Sequence, residues 1–150
     1  MKQIDAVLVV EDQKWTTFAI KDGFKESFAE LKITPKVTFI TNFNEALSAI
    51  RSDNEFDLIL LDHRIPYVAQ GDLEDTDFDA FCRTLHNVGY SLIPEIKERH
   101  PDTFIIGTSS MESELRDYPH KPDASIKKND MSSPEIEFTP LLRKIVFGEE

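Results

Sequence analysis

Cysteine is almost absent from the chain: Cys82 is alone among 150 residues. No intrachain disulfide can form, and the sequence fits a reducing compartment, with Cys82 itself read as a packed apolar residue. Glycine is also scarce, at 5 residues, and no repeat or low-complexity tract is present. Collagen-like, solenoid and flexible-linker classes are thereby excluded. Nowhere do roughly 18 apolar residues follow one another. No basic stretch leads into an apolar run and a small-residue cleavage site at the N-terminus, so a cytoplasmic, membrane-free protein is expected. Positive charge is in deficit, with 17 Lys plus Arg against 28 Asp plus Glu and a formal net charge of -11. Such a surface repels phosphate backbones and anionic membranes over a Debye length, so neither nucleic acid nor lipid is expected as a partner.

What is present is a core-forming composition, 40% hydrophobic, at a length that suits a single domain spanning 1–150. Short apolar runs rich in β-branched residues recur at Ala6 to Val10, Val37 to Thr41, Phe56 to Leu61 and Phe104 to Gly107, with a weaker one at Ala124 to Lys127. Val7 to Val10 and Leu58 to Leu61 within them are continuously apolar, as in parallel strands covered on both faces, while the Thr-containing second run reads as closer to an edge.

Between these runs lie helical patterns. Trp15, Phe18, Ile20, Phe24, Phe28 and Leu31 recur at helix-like spacing before Pro35, and the aromatic residues among them, Trp15 included, are expected in the core. Asn42 or Asn44 can cap a second helix carrying Ala46, Leu47 and Ile50; Leu92, Ile93 and Ile96 suggest a third that ends before Pro101. A fourth, Glu112 to Tyr118, is cut short by Pro119 and Pro122, and a last one runs from Pro134 through Phe147, kinked or restarted at Pro140. Strand and helix alternate, which predicts an α/β domain with a parallel sheet and helices on both faces.

In an open parallel sheet, ligands bind beyond the carboxyl ends of the strands, so the residues at strand exits carry the chemistry. The first strand runs into Glu11 and Asp12 and the third into Asp62. Three carboxylates brought to one edge repel one another without a cation, and hard oxygen ligands in that number suit Mg²⁺. Thr108 leaves the fourth strand and Lys128 the fifth, offering a hydroxyl and an ammonium where a phosphoryl oxygen could be held. A carboxylate nucleophile, a metal, a hydroxyl and a lysine together describe a phosphoryl-transfer site.

The segments VLVVEDQ, DLILLDHRIP, FIIGTSS and ASIKKND resemble, in order and spacing, the motifs of response-regulator receiver domains, and they span most of the chain. The resemblance implies a doubly wound five-stranded parallel sheet of order 2-1-3-4-5. It also implies that Asp62 is the phosphoacceptor, Glu11 and Asp12 the acidic metal-binding pair, Thr108 the switch hydroxyl and Lys128 the phosphoryl-binding lysine. Mg²⁺ is the implied cofactor, with the backbone carbonyl of Arg64 completing its shell. Pro66 stands four residues after Asp62, where the family usually carries a proline. The implied protein is a stand-alone phosphoacceptor rather than a turnover enzyme, able at most to release its own phosphoryl group. It would be charged by a histidine kinase or phosphotransfer protein and would switch binding to a further protein.

The chain departs from the family pattern in two places. An acidic insertion at about 67–88, partly helical from Phe78 to Leu85, separates the third strand from the third helix. Ser125 stands where an aromatic switch residue is usual, so phosphorylation would be read through Thr108 and the insertion instead. The alternative reading is a receiver-like interaction module that is not phosphorylated and binds a partner through the insertion. A metal-dependent hydrolase on the same fold would want an Asp-x-Asp pair at a strand end, which neither Glu11-Asp12-Gln13 nor Asp62-His63-Arg64 provides. Asp75, Asp77 and Asp79 imitate the start of a calcium loop, but Ala80 and His86 replace its glycine and closing glutamate. Cys82 and His86, four apart on a possible helix, join His63 as an incomplete zinc set. His100 and His120 read as surface residues, and Ser109, Ser110, Ser132 and Ser133 as turn and cap formers.

Overall fold

Successive side chains on a strand point to opposite faces, and the apolar runs divide accordingly. Val7, Val9, Leu58, Leu60 and Ile106 face one way, while Leu8, Val10, Ile59, Leu61 and Ile105 face the other. The computed structural model describes residues 2–108, 117–126 and 134–148, the last stretch with side chains from 138 onward. Strands β1 (Ala6–Val10), β2 (Lys36–Ile40), β3 (Leu58–Leu61), β6 (Phe104–Gly107) and β7 (Ala124–Ser125) form one sheet. Its order is β2-β1-β3-β6-β7, with every pairing parallel. Counted among these five strands alone, that is the 2-1-3-4-5 order expected from the motifs.

Helices cover both faces. The first face packs against α1 (Lys14–Leu31) and α6 (Pro134–Phe147), which supply Ile20, Phe24, Leu31, Phe138, Leu142 and Val146 to the core. The second packs against α2 (Phe43–Arg51) and α5 (Ile93–Arg99), through Ala46, Ile50, Ile93 and Ile96. Asn42 rather than Asn44 caps α2, its side chain accepting the Glu45 N–H at 3.0 Å. A 3₁₀ turn over Gly89–Leu92 leads into α5, with Pro94 in its first turn, where the missing N–H costs nothing.

Trp15 and Phe18 do not join the core: they are 82% and 60% exposed. Ile20, Phe24 and Leu31 are buried as expected, and Thr16, Gly23 and Ser27 complete the buried stripe of α1 in place of Trp15 and Phe18. Small and polar residues belong on it because α6 crosses there, Ser27 and Thr139 sharing a buried hydrogen bond of 2.6 Å beside the Phe24–Phe138 ring contact. Helix periodicity finds the helix but cannot choose between two stripes one residue apart when the neighbouring helix is unknown.

The segment after β3 is more structured than its acidity suggests. Short strands β4 (Arg64–Pro66) and β5 (Leu85–Asn87) pair antiparallel as a separate two-stranded sheet, and α3 (Leu73–Thr76) and α4 (Phe78–Arg83) lie between them. The helix expected from Phe78 to Leu85 therefore ends earlier, and Leu85 and His86 belong to a strand. β3 likewise begins at Leu58 rather than Phe56. Of the expected run Ala124 to Lys127, Ala124–Ser125 is strand and Lys127 lies outside the described residues. Most of the expected fourth helix also lies outside them, as do Ser109, Ser110, Ser132 and Ser133. α6 runs through Pro140, which is exposed.

Phe138 is fully buried between α1 and the sheet. Truncation by Phe138→Ala is expected to cost about 3–5 kcal/mol through lost transfer energy and the cavity left behind. Urea denaturation measures it, and a loss under about 1 kcal/mol would mean that α6 does not seal this face.

Candidate functional site

Parallel register sets the site. Val10 pairs with Leu61 and Leu61 with Gly107, so the next residue of each strand, Glu11, Asp62 and Thr108, emerges at the same end of the sheet. Hydrogen bonds carry the ladder one step past the strands: Glu11 N–H to the Ile40 carbonyl at 2.9 Å, Asp62 N–H to Val10 at 3.1 Å, and Thr108 N–H to Leu61 at 3.0 Å. Four expected site residues are thus assembled by the sheet alone, since Asp12 follows Glu11 directly. Lys128 lies outside the described residues.

Glu11, Asp12 and Asp62 are 2%, 8% and 1% exposed. One carboxylate oxygen from each lies within 4.8 Å of those of the other two. At an effective dielectric of about 20, two full charges at such a separation repel by about 3 kcal/mol, more than one net hydrogen bond returns. Positive charge beside such a set is favourable, and three clustered carboxylate oxygens suit a hard divalent cation. The Thr108 hydroxyl is 1% exposed and has no hydrogen-bond partner among the described residues. A buried hydroxyl left so is costly unless something arrives to bond it. Part of the Glu11 carboxylate is used locally, Oε2 accepting the Gln13 N–H at 3.0 Å. Among the described residues, this is the one group of three metal-binding side chains close enough to share an ion.

Arg64 stands at the rim, its backbone N–H donating to Asp62 Oδ1 at 3.3 Å. His63, between them, is 2% exposed. Its carbonyl accepts the N–H groups of Val88 at 3.0 Å and Gly89 at 2.8 Å, and its Nδ1 accepts that of Tyr90, also at 3.0 Å. An Nδ1 that accepts carries no proton, and burial pushes the imidazole below its ordinary pKa against the opposing pull of Asp62. Gly89 lies so close beneath the turn that a side chain there would overlap the Asp62 carbonyl. The turn after Asp62 is thereby held against residues 88–90. Its position in the sequence gives no sign of this, because a histidine beside an aspartate reads as loop.

The acidic segment reaches back to the other side of the site. The Lys14 N–H, at the first turn of α1, donates to Glu74 Oε1 at 3.1 Å, and Lys14 Nζ pairs with Asp75. Gln13 caps α1 without a side-chain bond, so Glu74 serves one of the helix's first N–H groups from a distance of 60 residues. Asp77 is occupied in capping α4 through the Ala80 N–H at 3.1 Å. With Asp75 and Asp77 engaged, the imitation of a calcium loop has no structural counterpart. Cys82 ends up on α4 and His86 on β5, where its ring packs on Tyr67 at 4.8 Å, so the supposed helical pair for zinc does not exist. His100 is fixed by its Nε2 contact to the Ile50 carbonyl at 2.9 Å.

No family model matches the sequence, and no curated protein matches it either. Solved structures do. The RcsB response regulator of Salmonella typhimurium aligns with 97% of this chain at a TM-score of 0.59 and 16% identity; the chain spans 62% of that chain's length. The receiver domain of a sensor histidine kinase from Pseudomonas aeruginosa, solved with magnesium in its active-site cleft, aligns at 0.61 and 18% identity, covering 97% of this chain and 98% of that one. The chain has the response-regulator receiver fold. A response regulator from Burkholderia pseudomallei, with a phosphorylated aspartic acid, a calcium ion and citrate, aligns at 0.53 and 14% identity over 97% of this chain and 75% of its own. Among the described residues of this receiver-fold chain, no helix is long and apolar enough to cross a membrane.

Two outcomes follow for the site. Gly89→Ala forces the turn away from residues 88–90 and is expected to cost about 1–3 kcal/mol of stability by urea denaturation; an unchanged midpoint would show that the turn yields freely. Asp12→Asn removes one of the three clustered carboxylates, so most of the upward shift in thermal midpoint that Mg²⁺ gives the unaltered chain should be lost. Equal Mg²⁺ shifts in both proteins would place the cation elsewhere.

Proposed function

We propose that this chain is a phosphoacceptor switch: Asp62 receives a phosphoryl group from the phosphohistidine of a histidine kinase or phosphotransfer protein, and the change alters binding to another protein. The observation that carries the reading is the buried row of Glu11, Asp12, Asp62 and Thr108 at one sheet edge. The likeness of the fold to receiver domains supports it.

A carboxylate oxygen of Asp62 attacks the phosphorus, the new P–O bond forms as the donor's P–N bond breaks, and the leaving imidazole takes up a proton. Asp62 is buried at a strand end and tethered by the Arg64 N–H to one oxygen, which restricts the directions its nucleophilic oxygen can take. The Thr108 hydroxyl donates to a phosphoryl oxygen, and Lys128 offsets the charge of the transferred group. Glu11, Asp12, Asp62 and the carbonyl of Arg64 would hold Mg²⁺, which supplies charge neutralisation for the phosphoryl oxygens when bound. Receiving and holding one group makes the chain a phosphoacceptor rather than a turnover enzyme.

Intact-mass measurement after incubation with acetyl phosphate tests the assignment. One labile phosphoryl group is expected on the unaltered chain with Mg²⁺, none without it, and none on Asp62→Asn. If the unaltered chain gains nothing and Mg²⁺ leaves its thermal midpoint unmoved, the unphosphorylated interaction module replaces this reading.

A further inference from the structure

His63 belongs to a cluster of rings that the phosphoryl chemistry does not use. Its imidazole lies 4.8 Å from the Tyr90 ring and 4.9 Å from that of Tyr118, and the two tyrosines are 6.4 Å apart. Tyr118 in turn meets His120 at 5.7 Å. The hydroxyl of Tyr90 presses on Gly107, where any side chain would collide with it, next to Thr108 in the chain. Gly107 pairs with Ser125 across β6 and β7 and accepts the Ile126 N–H at 2.8 Å.

We propose that His63 is a positioning residue that couples the state of Asp62 to the segment 117–126 through its contact with Tyr118. Three observations converge on it. The backbone of His63 cannot shift without disturbing its bonds to residues 88–90, because its carbonyl and Nδ1 together receive three N–H groups. The Arg64 N–H donates to Asp62 Oδ1, so a change at that carboxylate acts first on the turn containing His63, and a turn pinned at residues 88–90 passes the load to the His63 ring. The His63 ring has the half-buried Tyr118 directly against it and the buried Tyr90 beside it, and packed side chains rearrange between discrete arrangements rather than compress. Ser125 carries no ring and is exposed, so the aromatic path from the acceptor to this side of the sheet runs through residues 63, 90 and 118.

The coupling deepens the phosphoacceptor reading and rests on it for its biological trigger, but its test does not. The chain is labelled with 3-fluorotyrosine, and its three tyrosines, Tyr67, Tyr90 and Tyr118, are assigned by single replacement with phenylalanine. The Tyr118 fluorine resonance is then followed in four proteins: unaltered, Asp62→Asn, His63→Ala and the double variant. His63→Leu, closer in volume, substitutes for His63→Ala if the latter does not fold. Asp62→Asn should shift the Tyr118 resonance, and the shift should be lost when His63 is replaced, with Tyr67 unmoved throughout. An unmoved Tyr118, or an equal shift without His63, overturns the coupling. Acetyl phosphate with Mg²⁺, added to the unaltered chain with its mass monitored, separates the two readings. Mass gain with Tyr118 unmoved refutes the coupling alone. No mass gain, together with a His63-dependent shift in Asp62→Asn, refutes the phosphoacceptor role alone.

Discussion

Parallel pairing of β1, β3 and β6 in a single register is what the carboxyl edge of the sheet is built on. With Val10, Leu61 and Gly107 side by side, the following residues have no freedom in where they emerge. Neighbouring strands lie about 4.8 Å apart, and three carboxylates and a hydroxyl arrive together as a consequence. A slip of one residue in any of the three would turn its exit residue to the other face and exchange the two apolar sets that the helices cover. Core packing and site geometry are therefore enforced by the same constraint, the apolar cores on both faces fixing where the buried acids stand.

The local cost of that arrangement is contained by what surrounds it. Backbone N–H groups reach two of the carboxylates, Gln13 to Glu11 and Arg64 to Asp62. The turn after Asp62 is itself fixed from below, by the close approach of Gly89 and the triple acceptance by His63. The acidic segment between β3 and α5 contributes on the far side, where Glu74 and Asp75 bind Lys14 at the start of α1. That segment is thus part of the frame around the site, attached at its two ends through β4 and β5 and in its middle through α3.

Switching in such a frame needs an element with alternative arrangements and a contact that biases it. The residue expected to report the state of the site by family analogy, at position 125, is a serine. The rings of His63, Tyr90 and Tyr118 lie instead against one another beside the turn that follows Asp62, the first two buried and the third half-buried. A signal carried there would be mechanical, by ring displacement, and would reach the side of the sheet bounded by β6 and β7.

By itself, the sequence determined the α/β class, the strand order implied by its motifs, and the identities of Glu11, Asp12, Asp62 and Thr108 as exit residues. Continuous apolar runs followed by polar residues are local signals, and a parallel sheet converts them into a shared edge. Tertiary structure decided what local pattern leaves open. How the buried stripe of α1 is completed depends on α6, whose Thr139 bonds Ser27 beside the expected Phe24, while Trp15 and Phe18 stay exposed. The pairing of β4 with β5 depends on strands of three residues each, too short to show alternation. The role of His63 depends on backbone groups 25 to 27 positions away, at Val88 to Tyr90, because a hydrogen-bond acceptor acquires its partners only when the chain folds back on it.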